Sequence, residues 1–172
     1  MKSTIRAIVL CLLFYFFSIN VKAQNLDLSN LGLTQVPDSV WSKKDIVNLN
    51  LSGNDIRFIS NKIDSLQALQ SINLKDNPIQ KLPDEFFNST IQIINVSNTP
   101  LYDHLEFYNS IKQKEITLIL EGVDKLPKSI QKNKSIKHLR FVNSSIQDSI
   151  VENYSHIRSI DLQSINQKLN KI

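Results

Sequence analysis

Apolar residues recur along this chain as pairs separated by one position, and the pairs themselves recur. They are Leu26/Leu28, Leu49/Leu51, Ile72/Leu74, Ile94/Val96, Ile116/Leu118, Leu139/Phe141 and Ile160/Leu162, at steps of 23, 23, 22, 22, 23 and 21 residues. From the second pair onward an apolar residue stands three positions earlier (Ile46, Leu69, Ile91, Ile136 and Ile157), with Gln113 the exception. Another follows each of the first six pairs at a near-fixed offset: Leu33, Ile56, Ile79, Leu101, Val123 and Ile146. Alternation within a pair predicts a short strand with both apolar side chains on one side and the residue between them on the other. A unit of ~22 residues cannot bury such a face alone, so stacked copies must share a core, which is the logic of a solenoid.

The segments between strands vary. Residues 103–114 place Leu105, Tyr108 and Ile111 at helical intervals and predict a short helix. Proline follows an apolar residue at Val36-Pro37, Leu82-Pro83 and Leu126-Pro127. There it suits the start of a tight or 3₁₀-like turn, where its missing N–H is not needed.

The pattern L-x-x-L-x-L-x-x-N-x-L resembles that of leucine-rich repeats. Residues 69–83, LQSINLKDNPIQKLP, and 46–59, IVNLNLSGNDIRFI, match it with isoleucine or valine standing for some leucines. The resemblance covers essentially all of residues 24–172 in about seven copies. It implies an α/β solenoid, a horseshoe with a curved parallel sheet on the concave face and turns or short helices on the convex face. Seven strands would give an inner surface of roughly 30 Å. It also implies an inward asparagine in each repeat, bonded to the backbone of adjacent turns. That place falls to Leu31, Asn54, Asn77, Thr99, Glu121, Ser144 and Ile165. Terminal repeats are expected to be atypical, which leaves Glu121 as the misfit, because an unpaired buried carboxylate costs several kcal/mol or takes up a proton. Alternation gives the better assignment: Leu120 inward, Glu121 outward, and Gly122 turning the chain back into phase. The cysteine-rich caps found at the ends of many extracellular family members are absent. The C-terminal edge is then an association hazard or an interaction site.

Outward residues should form columns across the inner face. The central column reads Asp27, Asn50, Asn73, Asn95, Thr117, Arg140, Asp161, and the next reads Ser29, Ser52, Lys75, Ser97, Ile119, Val142, Gln163. Ile119 and Val142 then stand as apolar neighbours on a wet face, flanked by Arg140 and His138, in the manner of an interface with an apolar centre and polar rim. The candidate binding residues are Asn50, Asn73, Asn95, Thr117, Ile119, His138, Arg140, Val142 and Asp161.

Composition narrows the function. Residues 1–23 read as an export signal: Lys2 and Arg6 precede the uncharged AIVLCLLFYFFSI of 7–19, and Ala23 is a small residue at the expected cleavage point. Thirteen apolar residues are too few for the ~20 that span a bilayer. Without Lys2, Arg6 and Lys22 the formal charge falls from +4 to +1, so the chain has no basic footprint for nucleic acid. Cys11, the one cysteine, lies in that segment, so a disulfide or thiolate-metal framework is excluded from 24–172. His104, His138 and His156 match no zinc spacing, and no phosphate-binding glycine run or nucleophile elbow occurs. Six N-x-S/T sequons, at Asn50, Asn88, Asn95, Asn133, Asn143 and Asn153, read as chance in an Asn- and Ser-rich chain. The expectation is a non-enzymatic, cofactor-free binding module of the secreted or periplasmic envelope. Its partner would be a protein or a glycan, not nucleic acid, with no stable membrane insertion after cleavage. Weak self-association, or structural self-assembly through the uncapped edges, is the competing reading.

Overall fold

The computed structural model describes residues 24–104, 115–126, 128–144 and 155–163. The signal segment, most of the expected helix at 103–114, Pro127, Ile146, Asn153 and Ile165 lie outside them. Residues 100–104, which include the first two of that expected helix, form a 3₁₀ turn.

Seven strands form one parallel sheet in strict chain order: β1 (Gln24–Asp27), β2 (Ile46–Asn50), β3 (Ser71–Asn73), β4 (Ile93–Asn95), β5 (Ile116–Glu121), β6 (Ile136–Val142) and β7 (Ser159–Gln163). Each strand pairs with the next repeat's strand, as stacking requires. The opposite side carries 3₁₀ turns at Asp38–Val40 and Asn61–Ser65 and two four-residue helices, α1 (Glu85–Asn88) and α2 (Ser129–Lys132). The prolines act as expected where they are described: Pro37 caps the first 3₁₀ turn, and the Pro83 carbonyl accepts from Phe86 N–H at 3.1 Å. Between the two layers lies one continuous apolar core running from Val36 to Phe141.

After each of the first six strands the chain turns through the left-handed region. Asn30, Gly53, Asp76, Asn98, Gly122 and Asn143 all have φ between 47° and 68°, and each stands four residues beyond its strand's first inward residue. Glycine, asparagine and aspartate are the residues that enter this region at least cost, so the repeat specifies its own corner.

Strand register corrects the repeat count in one place. Leu26, Leu49, Ile72 and Ile94 pair in sequence, but Ile94 pairs with Leu118 and not Ile116, after which Leu118, Leu139 and Ile160 continue the row. The fifth repeat therefore holds two extra residues ahead of its equivalent pair, Leu118/Leu120. The register irregularity beside Ile116 and Thr117 lies on the next strand, where Lys137 is the extra residue between Ile136 and His138. In β5 burial alternates strictly: Ile116, Leu118 and Leu120 are buried, while Thr117, Ile119 and Glu121 are partly exposed. The ladder place of this repeat is Val123, not Glu121. Leu120 is fully buried, and Glu121 turns outward as alternation predicts, although pairing with Lys75 reduces its side-chain exposure to 30%.

The buried ladder is real where asparagine occupies it. Asn54 Oδ1 accepts from Leu31 and Leu33 N–H, both at 3.0 Å, and its Nδ2 donates to Leu28 and Leu51 carbonyls, both at 2.8 Å. Asn77 accepts from Ile56 N–H at 3.1 Å and donates to Leu51 at 2.8 Å and Leu74 at 3.1 Å. Thr99 bonds only Val96 in its own turn. Ser144 again spans turns, donating to Leu120 and accepting from Val123 N–H.

Candidate functional site

The corrected register rewrites the columns of the sheet's solvent face. The central column is Asp27, Asn50, Asn73, Asn95, Ile119, Arg140, Asp161. Thr117 moves one column back, between Ile93 and His138, and Glu121 takes the place beside Val142. Ile119 and Val142 are thus diagonal neighbours, each with a charged residue directly alongside: Arg140 beside Ile119 and Glu121 beside Val142.

The first half of the central column is fixed by its own backbone. Asp27, Asn50, Asn73 and Asn95 each accept, through Oδ1, the N–H two residues on: Ser29 at 2.9 Å, Ser52 at 3.2 Å, Lys75 at 3.1 Å and Ser97 at 3.0 Å. Where serine follows, its hydroxyl donates to the same oxygen. These Asx turns end the strands just before the left-handed corner. They also give the sequons at Asn50 and Asn95 a structural cause, because the serine two residues on is the asparagine's partner. Asn133, another sequon, is fully buried. At the Asp27 turn the serine bonds hold the carboxyl below its ordinary pKa.

Beyond Asp27, the charged side chains of the sheet face pair with opposite charges on other turns. Lys75 reaches Glu121 at 2.8 Å, and this bond raises the lysine's pKa. The pair joins the third and fifth repeats and so spans the intervening Ser97. Beneath it Ser97 is 0% and Asn95 5% exposed, although both lie on the solvent face by alternation. Ser97 Oγ accepts from Glu121 N–H and donates to Asn95 Oδ1, both at 2.7 Å. It thereby carries the cross-turn bond that Val123 cannot make. Arg140 donates to Asp161 at 2.9 Å. His138 sits between Ser159 Oγ at 2.6 Å and Glu115 at 3.4 Å, and Glu115 also binds Arg158. The asparagine-rich half of the face holds a shallow concavity of about 360 Å³, lined by Asn25, Asp27, Asn48, Asn50, Ser71, Asn73, Asn95 and Ile119 together with Leu26, Leu49 and Ile72. Among the described residues no group of three or more His, Cys, Asp or Glu is placed to hold a metal ion.

The family model for Leucine Rich Repeat matches residues 68–89, the third repeat, whose strand and left-handed corner recur along the sheet and whose ladder asparagine is shared with the second repeat. The fold is that of a leucine-rich-repeat solenoid. A Dictyostelium discoideum protein named "Probable inactive serine/threonine-protein kinase roco10" is 24% identical over 132 residues, which is 73% of this chain and 5% of that protein. The chain thus spans a small fraction of that relative's length. A leucine-rich-repeat protein of Leptospira interrogans is 21% identical at a TM-score of 0.41, covering 85% of this chain and 44% of that one.

On this leucine-rich-repeat sheet the nine candidate residues divide into two groups. Asn50, Asn73, Asn95 and Ile119 line the concavity, whereas Thr117, His138, Arg140, Val142 and Asp161 lie over β5–β7. Sequence reasoning missed Lys75, Ser97 and Glu121, which shape the middle of the face. The corner residue was the available signal: only Leu118 as first inward residue puts Gly122, and not Leu120, at the left-handed position.

Proposed function

We propose that this chain is a non-catalytic binding module of the secreted or cell-envelope compartment that captures a protein on the inner sheet face over β5–β7. Leucine-rich-repeat proteins generally act as protein-binding modules. The observation that carries the reading is the partly exposed pair Ile119 and Val142, set diagonally among Thr117, His138, Arg140 and Asp161. An apolar centre within a rim of paired polar groups is the anatomy of a protein interface. The test is affinity capture from envelope and extracellular fractions with wild-type chain and Ile119→Asp. The variant should lose the captured protein while its circular dichroism spectrum and melting temperature stay unchanged. Equal capture by both, or equal loss of capture and stability, removes the reading.

A second reading, assembly of copies through the solenoid edge, is favoured by one observation. In the first repeat Leu31 is 59% exposed, and Leu26, Leu28 and Leu33 are only partly buried. An edge strand with apolar neighbours invites pairing. Light scattering that shows a concentration-independent monomer rejects it.

A further inference from the structure

The solvent face of the middle strands carries three partly exposed apolar side chains: Ile93 on β4, Ile119 on β5 and Val142 on β6. Register fixes their relation. Ile93 pairs with Thr117 and Ile119 with Arg140, so each apolar residue stands one strand over and two residues further along than the last. The three form a diagonal line across the face, with steps of roughly 8 Å given a strand spacing of ~4.8 Å and a two-residue rise of ~6.6 Å. An ion pair stands on either side of this line: Lys75 with Glu121 at 2.8 Å on one, Arg140 with Asp161 at 2.9 Å on the other. Lines drawn through Glu121 and through Arg140 run parallel to the diagonal, and the same spacings put them roughly 8 Å apart.

We propose that this diagonal seats an extended, uncharged polypeptide segment whose alternate side chains are apolar; the inference rests on the reading of the β5–β7 face as a protein-binding surface and narrows its partner. Width selects the conformation. A helix with its side chains is about 10–12 Å across and would ride on both ion pairs, whereas an extended chain takes up about the ~4.8 Å of a strand and settles between them. Spacing selects the side-chain pattern. Every second residue of an extended chain points the same way at a repeat of ~6.6 Å, close to the ~7–8 Å between diagonal neighbours on a sheet, so residues i, i+2 and i+4 meet Ile93, Ile119 and Val142 in turn. Charge selects an uncharged main chain. An extended backbone presents N–H and C=O groups at both edges. Each wall is a cation bonded to an anion, so each supplies N–H donors and carboxylate acceptors with no net charge. A polyanion or polycation gains nothing from such walls, and a purely hydrocarbon occupant would desolvate their polar groups without replacing the lost bonds.

The probes are three blocked, uncharged, fluorescently labelled heptapeptides of identical composition, valine and serine, with the valines alternating, at helical spacing, or in one block. Anisotropy titration with the full chain should show saturable binding of the alternating peptide, about tenfold tighter than either of the others. Ile93→Ser should weaken that binding about tenfold, the loss of one buried aliphatic contact, with an unchanged melting temperature. Val142→Ser, at the other end of the line, is the second variant and should behave alike. Because Ile93 lies on β4, outside the β5–β7 surface, the two readings fail separately. Capture of a protein that is lost in Ile119→Asp, yet is indifferent to Ile93→Ser and not displaced by the alternating peptide, overturns the diagonal and leaves the β5–β7 face standing. Capture indifferent to Ile119→Asp removes both. The diagonal is also overturned by binding of none of the peptides, by equal affinity for all three, by preference for the helical or block arrangement, by full affinity in both serine variants, or by a fall in melting temperature that accounts for the lost binding.

Discussion

Replacing Asn77 by alanine tests the ladder that joins successive turns. The side chain is 3% exposed and links the third repeat to the second through Ile56 N–H and the Leu51 carbonyl, besides closing its own turn at Leu74. Alanine leaves Ile56 N–H unpaired among fully buried neighbours, while Leu51 retains the bond from Asn54. Each net hydrogen bond contributes about 1 kcal/mol, and an orphaned buried donor costs a further 1–3 kcal/mol or so, giving an expected loss of about 3 kcal/mol. Thr99→Ala removes a single bond within its own turn and should cost about 1 kcal/mol. Both are read from urea unfolding followed by circular dichroism, comparing midpoints at unchanged m-value. If Thr99→Ala costs as much as Asn77→Ala, the cross-turn bonds are not what the asparagine contributes, and the argument fails.

Two further predictions follow from side chains on either flank. Ser97→Ala deprives Glu121 N–H of its acceptor. It should cost about 1–2 kcal/mol and speed hydrogen exchange at the Glu121 amide while leaving that of Leu74 protected; an unaltered Glu121 amide rejects the bridging role. His156 has its Nε2 buried without a partner; burial, then Lys134 and Lys137, lower its pKa below 6.5. The folded state thus favours the neutral imidazole, so stability is full above pH 6.5 and declines as pH falls below that value, because the unfolded chain takes up the proton more readily. His156→Gln should flatten that limb of the urea-midpoint profile, and an unchanged slope contradicts the assignment.

The architecture was legible in the sequence because its signal is redundant. Seven apolar pairs, with flanking apolar residues in phase, fix strand order and inward faces without any knowledge of contacts. The fifth repeat escaped because Ile116, Leu118 and Leu120 offer two overlapping pairs, and apolar spacing cannot choose between them. The corner could have chosen, since Gly122 belongs with Asn30, Gly53, Asp76, Asn98 and Asn143. That slip carried Thr117 and Ile119 into the wrong columns and left Glu121 out of them. Burial of Asn95 and Ser97 was not legible, because it depends on a lysine and a glutamate from non-adjacent repeats meeting above them. The asparagine column was read as a recognition surface, but half of each amide serves the turn that follows it.

The ladder also bears on how the molecule comes apart. In a linear stack each repeat touches only its neighbours, so cooperativity depends on the couplings between them. Asn54 and Asn77 couple the first three repeats, and Ser97 and Ser144 couple the fourth to the sixth. Between the third and fourth, Thr99 reaches no carbonyl of the preceding turn. Only the buried lacing lapses there; the junction is crossed nearer the surface, by Asn98 donating to Asp76 at 2.6 Å and by the Lys75–Glu121 pair that spans it. Cohesion at that junction therefore rests on solvent-reachable polar and charged groups, and salt should loosen it more than the junctions laced by Asn54 and Asn77.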